Sequence, residues 1–449
     1  MMQLKYEENI REFLKQVLSH IRAKEVHREV RMELESHLQD IIEEKLSKGI
    51  ALNTAIQEAI SQMGAPELIG AQFHKVHRPR TDWKLLALMA VFMLFGLLAV
   101  FAAQVSLSER IPFNQIGMKQ VIYTIVGVAL MLTISFANYQ KLAKYSWTLY
   151  FGTLLLLLYA IMTGGRVNGL HSYLQIGVIA LNFVSLSPYF ILLSLAGIWS
   201  TSSKVKSNES FIRSMARKVW INFGIVILPS IIILKAHSIV DFVIFIVGCM
   251  VMLLVLKTKR SIFLAHISLL FGTILFVMLK ETYLSYRIGR LTAFLNPNED
   301  PLGTNYVLNQ SKKAIESAGW WGHGFGASLN TLPEFHSTMM FPFLIYCFGW
   351  LAGILILMLV ILFIFHSLQI SKKVHDPYGK ALISSLLALF VIQFIWPMLM
   401  SFGWAPLSSF SIPFISYQGA HGVFQFAAIG VILSVYRRKD IIPSISKSK

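Results

Sequence analysis

The stretch KLLALMAVFMLFGLLAVFAAQ, residues 84–104, carries its one charged residue at the first position. A helix rises about 1.5 Å per residue, so about 20 apolar residues cross the ~30 Å hydrocarbon core of a bilayer. The stretch is long enough to do so and has no polar face to turn toward water. Similar runs follow near 119–137, 146–163, 177–199, 220–236, 239–256, 262–280, 341–365, 381–400 and 416–436. A strand barrel would show short alternating segments instead. The expected fold class is therefore all-α: a polytopic membrane protein of ten transmembrane helices with a large extracellular loop, preceded by a small soluble helical module.

Charge placement orients the spans. The 449-residue chain has 40 Lys plus Arg against 23 acids, a net +17. The excess gathers in short segments beside the apolar runs: YQKLAKY (139–145), SSKVKSNESFIRSMARKVW (202–220), KTKR (257–260), SKKVHDPYGK (371–380) and YRRKD (436–440). With the N-terminus inside, all of these face the cytoplasm, as the positive-inside rule expects. Both termini are then cytoplasmic in a bacterial plasma membrane. The basic balance thus reflects membrane topology rather than nucleic acid, and no Walker, Rossmann or zinc-finger spacing occurs. Cys249 and Cys347 lie in apolar runs and are expected to be small buried hydrophobes.

Residues 1–80 differ from the rest. Apolar residues recur at helical spacing between charges in YEENIREFLKQVLSHI and VHREVRMELESHLQDIIEEKL. Thr54 and Gln57 fit a capping box, Gly64 a helix stop, and Pro66 the first position of a further helix. A basic linker, HKVHRPRTDW, leads to the first span. The expected organisation is a helical prefix domain at 1–80, a membrane domain at 81–440 with its large loop at 281–340, and a tail at 441–449.

That loop is long for a connection between spans, and long loops are usually functional or disordered. Tyr306, Trp320, Trp321 and Phe325 argue against disorder. Gly319, Gly322, Gly324 and Gly326 allow tight turns or a close backbone approach to a ligand. The segment NPNEDPLGTNYVLNQS (296–311) places Glu299 and Asp300 against Pro301. An ordered cap on the outer face is expected.

The loop residues RLTAFLNPNEDPLGTNYVLNQSKKAIESAGWWGHGFG resemble the large extracellular loop of the shape, elongation, division and sporulation family, the FtsW/RodA/SpoVE proteins. Its pattern of an Arg before FLxP, then DPLGxGY, QSxxAIGSGG and GxGxG, is met by Arg290, Pro297, Asp300, Gly303, Tyr306, Gln310, Ser311 and the glycine series. LPEFH (332–336) and IPFISYQGAHGVFQF (412–426) match later motifs, and the resemblance covers roughly 84–440. It implies polymerisation of lipid II, the undecaprenyl-pyrophosphate-linked disaccharide peptide, in cell-wall synthesis for shape, division or sporulation. It also implies a class B penicillin-binding protein as partner. It assigns Asp300 as general base and Arg290 to the leaving pyrophosphate. Tyr306, Gln310, Ser311, His336, Ser416 and Tyr417 are candidate substrate-binding residues. His323, Lys312 and Lys313 are weaker candidates, and Glu299 lies off the motif. A divalent cation could assist, though no metal ligand set is recognisable and no cofactor is assigned. Residues 21–83 are similar to the permease prefix domain of Gram-positive membrane proteins, which implies a docking or regulatory role, or a purely structural one.

Several family positions are replaced. QPSExxK at the fourth span reads NFVSLSP, with Ser185 and Pro188 for the acid and the base. PDxG reads HSIV, with Ser238 for Asp. TD reads Ser337-Thr338, the AEELG acids become Tyr346 and Cys347, and YGGSS reads YQGAH. An alternative reading is therefore a relative that has lost catalysis and acts as a scaffold or regulator of envelope synthesis. A lipid-linked precursor flippase ranks third, because ionisable groups at mid-membrane depth are scarce. Asp241 is the main exception and reads as an interfacial acid.

Overall fold

The structure is a computed structural model. It describes residues 2–23, 26–76, 78–108, 115–167, 170–176, 179–202, 224–236, 238–257, 263–264, 266–268, 270–272, 275, 292–296, 300, 303 and 305–441. Two compact units are present, Met1–Thr81 with Tyr436–Lys449, and Asp82–Val435.

The first unit contains α1 (Met2–Ser19), α2 (His27–Ser47), α3 (Leu52–Met63) and α4 (Pro66–Val76). Their apolar stripes meet in a core of Phe13, Leu14, Val17, Val30, Leu34 and Leu38, joined by Ile441 from the far end of the chain. Gly64 ends α3 at φ 96°, a conformation that favours glycine. The capping box does not form: α3 begins at Leu52 with Ala51 at its N-cap, so Thr54 already lies inside the helix.

The second unit contains seven helices long and apolar enough to cross a membrane, among the described residues. They are α5 (Trp83–Ser108), α6 (Ile116–Phe136), α8 (Ser146–Thr163), α9 (Phe183–Ser202), α13 (Met340–Lys373), α14 (Pro377–Ser401) and α15 (Ala420–Arg437). Two shorter apolar helices, α10 (Gly224–Lys235) and α11 (Ile239–Val255), stand where spans 220–236 and 239–256 are expected. The expected span 262–280 falls largely outside the described residues. A short helix α7 (Gln140–Lys144) links α6 to α8, and α12 (Tyr306–Ser317) lies in the long loop. The fold is a helical, polytopic membrane protein.

The span placed at 177–199 starts later than the sequence implies. A three-stranded antiparallel sheet precedes it, β1 (Gly165–Val167), β2 (Leu170–Ile176) and β3 (Ile179–Asn182), in the order β1-β2-β3. Leu174 pairs with Leu181 and Ile176 with Ile179. Apolarity alone does not separate a buried strand from the start of a helix, which is why the boundary moved. Asn182 marks the true start, accepting the Ser185 N–H at 3.1 Å.

Small residues let the helices approach. A Cβ on Gly96 would lie 2.0 Å from the Phe414 carbonyl oxygen, and one on Gly127 would lie 2.3 Å from the Phe426 ring. Around them Phe92 stacks on Phe394 at 5.3 Å, and Phe390 sits 5.7 Å from Phe414. At the start of α5, Asp82 accepts the Leu85 N–H and also meets His366 Nε2 of α13, both at 2.9 Å. Cys249 and Cys347 are free and buried.

Candidate functional site

Most of the candidate residues that are described fall between Asp300 and His336, with Ser416 and Tyr417 further along the chain. Asp300 is exposed. Its Oδ1 accepts the Gly303 N–H at 3.1 Å, and its carbonyl accepts the Asn305 N–H at 3.1 Å. A Cβ on Gly303 would sit 2.3 Å from Asp300 Oδ2, so glycine leaves room for the carboxylate. Buried Asn305 ties this turn back to the Asn296 carbonyl at 3.0 Å. Hydrogen bonds from Gly303 and Asn305 therefore engage Asp300 while its side chain stays exposed. Arg290 and Glu299 lie outside the described residues.

Amphipathic α12 follows directly. Its apolar face, Leu308, Ala314 and Ile315, is buried, and Ser311 donates to the Ser401 carbonyl at the end of α14 at 2.8 Å. Tyr306 and Gln310 are half-buried. Half-buried Lys312 lies across Gly403, whose Cβ would fall 2.6 Å from Lys312 Cε; Lys313 is exposed.

The glycine series serves the protein's own backbone. Helix α13 breaks at Gly349, with φ 76° and ψ −178°. The break frees the carbonyls of Tyr346 and Cys347, which accept the His323 and Gly324 N–H groups at 2.9 Å each. In return, the Trp350 N–H donates to the Gly319 carbonyl at 3.1 Å. The two backbones are so close that a Cβ on Gly349 would meet the Trp320 carbonyl oxygen at 2.0 Å. One on Gly322 would meet the Cys347 carbonyl carbon at 2.4 Å. His323 stacks on Tyr346 at 4.2 Å, and Trp320 and Trp321 stay exposed.

A second corner joins the LPEFH turn to the start of α15. The Tyr417 N–H donates to the His336 carbonyl at 3.0 Å, and their rings lie 6.2 Å apart. Burial lowers the His336 pKa, with Glu334 acting in the opposite sense. Burial raises the Tyr417 phenol. Ser416 is fully buried, and its Oγ accepts the Ile412 N–H at 3.1 Å, so this hydroxyl closes its own turn. Phe414 there has φ 65°, a strained value for a side-chain-bearing residue.

Two of the replaced family positions, Ser185 and Ser238, meet at one acid. Ser185 and Ser238 both donate to Asp241 Oδ2, at 3.0 and 2.5 Å. Asp241, in the first turn of α11, is only 3% exposed, so the acid is buried within the protein. Pro188 sits within α9, and Ser187 donates to the Val184 carbonyl that proline leaves without its usual N–H. Nearby, Tyr189 donates to Gln393 at 2.6 Å, and Gln393 accepts from Gln425 at 3.3 Å. Sequence reasoning missed this cluster because its members come from four separate helices; the one signal was an acid in an apolar run. Among the described residues, no group of three or more His, Cys, Asp or Glu side chains could hold a metal ion.

A family model described as cell cycle protein, FtsW/RodA/SpoVE, matches residues 82–441. The probable peptidoglycan glycosyltransferase FtsW of Aliivibrio salmonicida is 26% identical over 365 residues, covering 79% of this chain and 88% of that protein. Stage V sporulation protein E of Bacillus subtilis is 27% identical over 366 residues, covering 79% and 97%. The peptidoglycan glycosyltransferase RodA of Treponema pallidum is 23% identical, covering 80% and 98%. Among solved structures, a chain from a peptidoglycan synthase complex aligns with TM-score 0.63 at 18% identity, covering 80% of this chain and 98% of that one. The rod shape determining protein RodA of Thermus thermophilus aligns with TM-score 0.56 at 16% identity, covering 80% and 97%. At these identities the structural likeness speaks to the fold.

Proposed function

Because the chain belongs to the FtsW/RodA/SpoVE cell cycle protein family, we propose that it is a peptidoglycan glycosyltransferase that polymerises lipid II at the outer face of a bacterial plasma membrane. The observation that carries this reading is Asp300, exposed on a turn held by Gly303 and Asn305 within the family's loop motif. Ten spans, with both termini in the cytoplasm, put that turn on the side where the lipid-borne sugars are used.

In this reaction an acceptor sugar hydroxyl attacks the anomeric carbon of the donor. The new glycosidic bond forms as the bond to the pyrophosphate oxygen breaks. The hydroxyl is a poor nucleophile near neutral pH, and Asp300 takes its proton as general base. The departing undecaprenyl pyrophosphate is anionic and is met by Arg290, with half-buried Lys312 of α12 as a further cation. Ser311 anchors α12 on the Ser401 carbonyl, and half-buried Tyr306 and Gln310 on that helix bind the acceptor. His336 and Tyr417 border the donor lipid. The partner is a class B penicillin-binding protein, which crosslinks the strands made here.

Purified protein with that partner should extend lipid II into glycan, and Asp300→Asn should stop it. A second reading, a scaffold without catalysis, is favoured by one observation: Pro188 and Ser185 stand where the family motif carries a base and an acid. If wild type binds the partner but makes no glycan, the scaffold reading replaces the first.

A further inference from the structure

The buried cluster around Asp241 has hydrogen-bonding capacity that the fold itself does not use. Asp241, in the first turn of α11, is 3% exposed, and its two side-chain hydrogen bonds among the described residues both fall on Oδ2. Both donors are serine hydroxyls, so Oδ1 is left without a described donor and the carboxyl without a described cation. Close by, His421 Nε2 and Gln425 Oε1 are buried atoms with no hydrogen-bond partner among the described residues. Tyr189 links the three places, lying one turn from Ser185 on α9, 6.3 Å from the His421 ring, and bonded to the same Gln393 that takes the Gln425 amide. Unused polar atoms cost free energy when buried away from water, and such a group in a membrane-spanning segment marks a ligand route.

The chemistry of the unused atoms selects the ligand. Asp241 Oδ1 and Gln425 Oε1 are acceptors, and the imidazole nitrogen accepts or donates according to its tautomer. Such a set takes hydroxyl and amide N–H groups. A carboxyl and an amide oxygen with no Lys or Arg hydrogen-bonded to them among the described residues disfavour a phosphate. We propose that this cluster is a saccharide subsite, in which Asp241, with Gln425 and His421, holds hydroxyl or N-acetyl groups of the lipid-linked substrate and not its pyrophosphate. The carboxyl reaches the site from α11 rather than α9, with Ser185 turned into its hydrogen-bond donor. This inference rests on the lipid II reading above for the identity of the lipid.

The test is a titration of the purified full chain with two probes: lipid II, and undecaprenyl pyrophosphate without the sugars. Asp241→Ala should weaken lipid II binding about tenfold, as loss of one or two hydrogen bonds does. The same variant should leave undecaprenyl pyrophosphate binding within about twofold. The swap Asp241→Ser with Ser185→Glu, which moves the carboxyl onto α9, should restore lipid II affinity to within about threefold. A purely structural acid would not produce that probe selectivity or that rescue. Should Asp241→Ala fail to fold, Asp241→Leu, which keeps the branched shape but has no acceptor oxygen, carries the same comparison. Equal losses on both probes, no loss on either, or a folded swap variant without rescue each overturn the proposal; the second outcome means that the cluster holds buried water only. A wild type that favours lipid II over the sugarless lipid yet makes no glycan sinks the polymerase reading and leaves this subsite standing.

Discussion

Two turns of one loop are built in opposite ways. The Asp300 turn is held by bonds to its own neighbours, Gly303 and Asn305, and leaves its side chain exposed. The turn at 318–326 is clamped backbone to backbone onto the broken helix α13, through Gly319, His323 and Gly324. Both are glycine-marked in sequence, yet one presents a chemical group and the other fastens the loop to the helical unit. A glycine-rich motif beside a candidate base is thus not in itself a ligand cradle.

The strongest way to break this contrast is Asp300→Asn. Asparagine keeps the Oδ1 acceptor for the Gly303 N–H, so the turn survives while the base is lost. Glycan formation on lipid II should fall about 10²–10⁴-fold with the thermal midpoint unchanged; a variant of full activity removes Asp300 from the chemistry.

Gly349→Ala attacks the other turn. It places a Cβ against the Trp320 carbonyl oxygen at a backbone φ of 76°. We expect a loss of about 2–4 kcal/mol in stability. In a thermal scan the variant should melt well below wild type, and its activity should follow the folded fraction. An unchanged midpoint would mean that the clamp is not structural.

Ser311→Ala tests the joint between the turns. It removes the bond to the Ser401 carbonyl at the end of α14 and should cost about 1 kcal/mol. Denaturation should show that modest loss, while Asp300-dependent activity stays within a few-fold.

The smallest effect concerns pH. Burial lowers the His336 pKa below its ordinary value near 6.5, so the fold favours the neutral ring. The stability this contributes is complete above about pH 6.5 and is lost as pH falls through the lower folded value. The thermal midpoint should therefore drop less steeply toward acid in His336→Gln than in wild type; parallel curves would show that the ring is not coupled to folding.

Much of the fold was legible because its signal is local. Length and apolarity alone located α5, α6, α8, α13, α14 and α15 within a few residues at most ends. The exceptions have identifiable causes. Helix α13 runs to Lys373 because its polar end projects past the apolar run, and the strands before α9 share its apolar composition. For the site, the acid and its motif glycine were visible as sequence, whereas the bond from the Ile412 N–H to Ser416 Oγ was not.

By itself, then, the sequence determined that the chain spans a membrane, that an amphipathic helical stretch precedes the spans, and that a loop with one motif acid stands apart from the apolar runs. These follow from residue type and spacing along a single helix or turn. Only the tertiary structure decided that Ile441 completes the core of the first unit, that the loop glycines meet α13, and that Asp241 is buried between two serines. Each of those depends on which distant segments come within a few ångströms, and hydrophobic patterning fixes which face is buried without specifying the partner it is buried against.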